Sequence, residues 1–159
     1  MPADATKIAR FCDLLTNNKA IKDFPGAENG LQHKGRAKVR KVGCAVDAGA
    51  KVFEMAAKRG IDFLIVHHGM RWPTISPLRE VRKLRVDTLK RTGLSLYSSH
   101  LPLDAHPIIG NNALIAADLG LRVVDWFVDF EGLPIACICQ GIPRSTLARR
   151  LKQSYPDTY

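Results

Sequence analysis

An α/β fold, with a mixed, mostly parallel sheet and flanking helices, is predicted by three features of this 159-residue chain. Short apolar runs rich in β-branched residues alternate with longer amphipathic stretches; glycine closes most of those stretches; and turn-forming residues separate the two kinds. This alternation is the pattern of a parallel sheet whose crossovers are helices. Sheets of that kind hold ligands outside the carboxyl ends of their strands, so strand ends are where chemistry is sought.

The elements follow in order. Ile8 to Leu15 carries apolar residues at helical spacing and Asn17-Asn18 ends it, which predicts an amphipathic first helix. Phe24 to Gly30 is turn chemistry. Val39 to Val46 reads as a strand in which Val42, Cys44 and Val46 alternate with Lys41 and Gly43. A helix from Ala48 to Arg59 comes next, with Asp47 as its N-cap and Gly60 as its stop. Ile61 to Val66 is the next strand. A loop with two prolines leads to a charged helix from about Pro77 to Thr92, stopped by Gly93, and Leu94 to Tyr97 is a further strand. A helix over Asn112 to Leu119 is closed by Gly120; then come a strand around Arg122 to Val128, a turn at Glu131-Gly132, a strand from Ile135 to Cys139 and a terminal helix after Pro143. On this reading residues 1–120 form an α/β metal-binding domain and residues 121–159 a smaller, incomplete α/β unit.

Composition narrows the functional classes. A hydrophobic content of 46% suffices for a core, yet no run approaches the roughly 18 apolar residues of a membrane span. The start, Met1 to Lys7, lacks the apolar centre of a signal peptide, so a cytoplasmic protein without a membrane partner is expected. Cys12, Cys44, Cys137 and Cys139 show no Cys-x-x-Cys spacing and read as reduced core thiols. A formal net charge of +9, concentrated in Lys34 to Lys41 and Arg79 to Arg85, makes nucleic acid the main competing partner. Against that, no recognition motif accompanies the charge, and at 7% aromatic residues there are few stacking platforms. With Leu78, Val81 and Leu84 near one face, the charged helix reads as a solvated surface; alternatively, Arg and Lys beside a cleft could hold the phosphates of a nucleotide or another anionic small molecule.

Two histidine-bearing segments carry the chemistry. His67-His68 directly follows the strand Ile61 to Val66 and precedes Gly69, and the segment Ser98 to Pro107, with His100, Asp104 and His106, follows the strand ending at Tyr97. If the two strands are parallel, both segments leave the same sheet edge, and His67, His68, His100 and Asp104 face one crevice, with His106 as a further candidate. Imidazole and carboxylate together suit a divalent transition metal (Zn, Fe, Mn, Ni or Co) rather than Ca or Mg. The bland alternative is a set of locally hydrogen-bonded side chains: Asp104 closing a turn or capping a helix, and His100 bonding a backbone carbonyl.

These residues also carry a resemblance. Asp62 to Gly69, Tyr97 to Pro107, Gly110-Asn111-Asn112, Asn29-Gly30-Leu31-Gln32 and Val46-Asp47 together resemble the Nif-three-like family, whose members are often labelled GTP cyclohydrolase I type 2 homologues. The likeness spans about residues 5–155, with the motifs in the family's order. It implies a first Nif-three-like repeat plus the start of a second, within a ring-shaped homo-oligomer. It further implies a metal site of one or two ions with His67, His68 and Asp104 as ligands and His100 beside them, as an outer partner, proton-transfer group or alternate ligand. If catalytic, such a site is expected to hydrolyse a nucleotide or related heterocycle; a metal carrier or insertion chaperone would use the same ligands. The family closes with a His-x-x-x-Glu motif, whereas here no histidine follows His106 and the last glutamate is Glu131. A truncated or frameshifted reading frame is the expected reason, with a second polypeptide or a degenerate site as alternatives. Apolar side chains left uncovered in the incomplete unit, Trp126, Phe127 and Ile138, then predict self-association.

Overall fold

Residues 63 to 66 are apolar without a break, so the strand they form needs cover on both faces. The computed structural model, which describes residues 1–71, 79–130 and 132–158, provides it. In chain order the first elements are β1 (Ala3–Asp4), α1 (Ala5–Leu15), β2 (Gly30–His33), β3 (Lys38–Val39), β4 (Val42–Asp47), α2 (Ala50–Lys58), β5 (Phe63–His68), α3 (Arg79–Thr92), β6 (Ser95–Ser98) and α4 (Leu101–Asp104). Four of the strands form one sheet in the order β2-β6-β5-β4, with β4, β5 and β6 parallel and β2 antiparallel to β6. The sheet is thus mixed and mostly parallel, as the alternation predicts.

Alternation along β5 and β6 sorts the core onto two faces. Leu64, Val66 and Leu96 pack with Phe53 and Ala56 of α2 and Leu89 of α3. Phe63 and Tyr97 point to the other face, where Ala5 and Ala9 of α1 and Val39 meet them, the two rings stacked 6.2 Å apart. Each such large side chain taken out of water contributes about 1.5–3 kcal/mol, enough to make this three-layer packing the dominant stabilisation of the first unit.

Several local expectations are corrected. The strand expected over Val39 to Val46 is two strands, because the carboxylate of Asp62 accepts from the backbone N–H of Arg40 (2.9 Å) and Lys41 (3.2 Å) and interrupts it; β3 pairs with β1 instead. β2 went unpredicted, since Gly-Leu-Gln-His has neither alternation nor β-branching. Asp47 is not the cap of α2: Gly49 is, without a side-chain hydrogen bond. The stop at Gly60 holds, with φ +69° and N–H bonds from Gly60 to Ala57 O (2.9 Å) and Ile61 to Ala56 O (3.1 Å). The first helix begins earlier than its apolar spacing shows, because Asp4 caps it through the N–H groups of Thr6 and Lys7. In α3, Val81 and Leu84 are exposed while Thr88 and Leu89 are buried, so it meets the sheet through its C-terminal turns. The two-proline loop, Leu78 and Glu131 lie outside the described residues. Cys44 is exposed rather than a core thiol.

By internal packing the chain forms two compact units, Met1–Pro102 and Leu103–Tyr159, whereas the division at residue 120 follows the alternation of elements. The second unit holds α5 (Asn111–Asp118), the antiparallel pair β7 (Val123–Phe130) and β8 (Leu133–Cys139), α6 (Arg144–Ser154) and a 3-10 turn, Pro156–Thr158. The guanidinium of Arg150 on α6 donates to the carbonyls of Leu119 and Gly120 (2.7 and 2.9 Å), satisfying the open end of α5. Trp126 is half-buried, while Phe127 and Ile138 are exposed. No described helix is long and apolar enough to cross a membrane.

Candidate metal centre

Three parallel strands end together, and that convergence builds the site. Register pairs Asp47 at the end of β4 with His68 at the end of β5, and Val66 of β5 with Ser98 of β6, so that Asp47, His67-His68 and Ser99-His100 leave the sheet at one edge. His67, His68 and His100 meet there, their ligand atoms all within 4.8 Å of one another. Ring centroids lie 4.8 Å apart for His67–His68 and for His67–His100, and 5.5 Å apart for His68–His100. His100 is buried; the other two are half-buried.

Each ring is held through the same nitrogen. Nδ1 of His67 lies 3.0 Å from the carbonyl of Ser99, Nδ1 of His68 lies 2.8 Å from Oδ1 of Asp47, and Nδ1 of His100 lies 2.9 Å from Oδ1 of Asp23. A carbonyl or carboxylate can only accept, so each Nδ1 carries the proton and donates it, which puts the lone pair of the neutral ring on Nε2. Outer-shell hydrogen bonds of this kind are what fix tautomer and orientation in metal-ligating histidines. Two nitrogens about 2.1 Å from one tetrahedral ion stand roughly 3.4 Å apart. The observed spacing therefore admits one ion after a small ring movement, or a pair shared among the rings.

Asp23 is the most heavily engaged outer group. Its side chain is 4% exposed and accepts from His100 Nδ1, from Asn29 Nδ2 (2.8 Å) and from the backbone N–H of Phe24 (2.7 Å) and Leu101 (3.1 Å). Burial alone would raise its carboxyl; the hydrogen bonds from His100, Asn29, Phe24 and Leu101 outweigh burial and bring it to about 2. Asn29 also accepts the backbone N–H of His100 (2.7 Å), so loop and ligand segment are locked together. Asp47 is 72% exposed, and its bond to His68 orients the ring while screening by water leaves it little energy.

Of the residues singled out from sequence, His67, His68 and His100 are brought together in the first unit. Asp104 ends α4 in the second, its carboxylate accepting from Asn111 Nδ2 (2.7 Å). His106 is also there, its Nδ1 accepting the N–H of Ile108 and Ile109 (3.2 and 3.1 Å), the reverse of the pattern in the other three. Sequence reasoning missed Asp23 altogether and took Asp47 for a helix cap. The signal for Asp47 was its place at a strand end beside the histidine strand; Asp23, 77 residues from His100 in an irregular segment, offered none.

Comparison with known proteins gives the family and the fold. A model of the Duf34/NIF3 (NGG1p interacting factor 3) family matches residues 4–158. The chain belongs to the Duf34/NIF3 family. A "GTP cyclohydrolase 1 type 2 homolog" of Archaeoglobus fulgidus is 40% identical over 129 residues, 81% of this chain and 52% of the relative. The protein of the same name from Escherichia coli K12 is 41% identical over 120 residues, 75% of this chain and 48% of the relative. Among solved structures, TTHA1606 from Thermus thermophilus superposes with a TM-score of 0.78 at 39% identity, covering 94% of this chain and 60% of that one. This Duf34/NIF3 chain thus spans about half the length of the curated relatives it matches.

Proposed function

We propose that this Duf34/NIF3 chain binds a divalent transition metal (Zn, Fe, Mn, Ni or Co) through His67, His68 and His100, and that the centre hydrolyses a nucleotide or a related heterocycle. The observation that carries the reading is the shared anchoring of three Nδ1 atoms, which presents three imidazole lone pairs from one strand edge. The family resemblance adds Asp104 as a carboxylate ligand, a cytoplasmic location and a homo-oligomeric assembly. The name shared by the relatives supports a guanine nucleotide as the first substrate to try.

When bound, the metal supplies Lewis acidity, polarising the group attacked and bringing water toward ionisation near neutral pH. The protein's own part is orientation. Asp23 and Asn29 hold the buried His100, Ser99 holds His67, and Asp47 holds the more exposed His68, so the donors need little reorganisation on binding. His100 takes the place of an inner ligand in this reading, in preference to a proton carrier, because its Nδ1 is committed to a carboxylate of low pKa.

Metal analysis of protein purified without chelator tests the site: about one equivalent or more of transition metal is expected, lost in His67→Ala, His100→Ala and Asp104→Ala. Native protein free of metal, with variants no different from it, would falsify the reading. Turnover of GTP that disappears with chelator separates an enzyme from a metal carrier, which would load normally and turn over nothing.

A further inference from the structure

A groove of about 470 Å³ in the first unit is lined by three arginines, Arg71, Arg82 and Arg85. Arg82 and Arg85 lie one turn apart on α3 and so share a helix face. Met70 and Val86 add apolar surface, Gln32 and His33 of β2 complete the lining, and none of these lining residues is a carboxylate. Arg71 is ion-paired with Glu28, whereas Arg82 and Arg85 have no ion-pair or hydrogen-bond partner among the described residues. Burial, with Lys90 nearby, lowers the pKa of His33 below its ordinary value, so the ring is neutral at pH 7 and adds hydrogen-bonding capacity without charge.

The groove begins where the histidine strand ends. Gly69 directly follows His68, and a Cβ there would meet the Gln32 amide at 2.3 Å. Gln32 is pinned in that place, its Oε1 accepting the N–H of Met70 (2.7 Å) and its Nε2 donating to the carbonyl of Glu28 (2.7 Å). One side chain therefore borders both the groove and the backbone leaving the metal centre.

We propose that this groove is an anion subsite for the phosphoryl group of a small phosphate ester whose reactive part reaches the histidine centre; the last clause rests on the proposed hydrolytic function, the phosphoryl site does not. Guanidinium forks match phosphate oxygens bidentately, and two arginines without carboxylate partners among the described residues suit a dianion better than a monoanion. The volume is that of a small-molecule site, which favours a phosphate ester over a nucleic-acid strand. Met70 and Val86 give the carbon part next to the phosphate an apolar surface to cover.

The test is calorimetric titration of the full chain, stripped of metal with chelator, at low salt, with methyl phosphate as probe and acetate as the monoanionic control. Methyl phosphate is expected to bind, acetate to bind at least tenfold more weakly, and Arg82→Ala/Arg85→Ala to weaken methyl phosphate at least tenfold with an unchanged melting temperature. Lys58→Ala, on the exposed end of α2, is expected to leave binding as it is. No binding, equal binding of acetate, or equal weakening by Lys58→Ala, which would reveal diffuse net charge only, overturns the subsite. Because the titration is done without metal, its result stands apart from that of the metal analysis: either reading can fail while the other survives.

Discussion

Asp23 shows how much one buried carboxylate can organise. Four donors converge on it, one of them a ring nitrogen of the histidine centre. Removing it leaves His100 without the acceptor that sets its tautomer, and outer-shell partners of this kind are worth about 10–100-fold in metal affinity. Asp23→Ala is therefore expected to weaken metal binding by that factor, measured by competition with a chromophoric chelator. Asp23→Asn, which keeps the shape and an amide oxygen but loses the charge, should fall between the two. Affinity unchanged in both variants would remove Asp23 from the site. At this scale the histidines were legible in the sequence because of where they sit on strands; their acceptors were not, because an aspartate in a turn looks the same whether or not a ring reaches it.

Elements were legible where a local rule ends or starts them. Gly60 is such a place: the carbonyls closing α2 are satisfied only with the backbone at φ +69°, and nothing lies within 4 Å of a Cβ built there. The cost of Gly60→Ala is thus one of backbone conformation alone, about 1–2 kcal/mol, expected as a melting temperature lowered by several degrees. An unchanged melting temperature would mean that the turn relaxes to another closure. The strand split at Arg40 was invisible for the opposite reason. Its cause, the Asp62 carboxylate, lies 22 residues away from Arg40 and acts on the backbone, which no pattern of side chains records. β2, likewise, is a strand because β6 offers it an edge, not because its four residues favour one.

For the molecule as a whole, a buried polar network sets how stability depends on pH. Tyr97, 1% exposed, donates to Asp13 (2.9 Å) and accepts from Asn18 (2.6 Å), whose Oδ1 in turn accepts from Thr16 and Ser99. Burial, followed by the Asp13 carboxylate, pushes the Tyr97 phenol far above its ordinary value. Above pH 10 the unfolded chain releases this proton while the native protein keeps it, so the native state binds more protons and stability falls as pH rises. The contribution is complete below about pH 10, with a slope of up to about 1.4 kcal/mol per pH unit above it. Urea titrations from pH 9 to 11 are expected to show a steeper loss in the wild type than in Tyr97→Phe; parallel losses would place the network outside the alkaline transition.

Alternation of runs, caps and stops determined the α/β class, the mostly parallel sheet and the strand ends where His67, His68 and His100 stand, because those follow from periodicity and from what glycine and short polar side chains do to a local backbone. Only the tertiary structure decided that the three rings meet with every Nδ1 anchored, that Asp23 and Asp47 hold two of them, and that three arginines line one groove with Gln32. Those facts depend on strand order and register, which bring distant residues within hydrogen-bonding reach. Neighbouring residues along the chain carry no record of them.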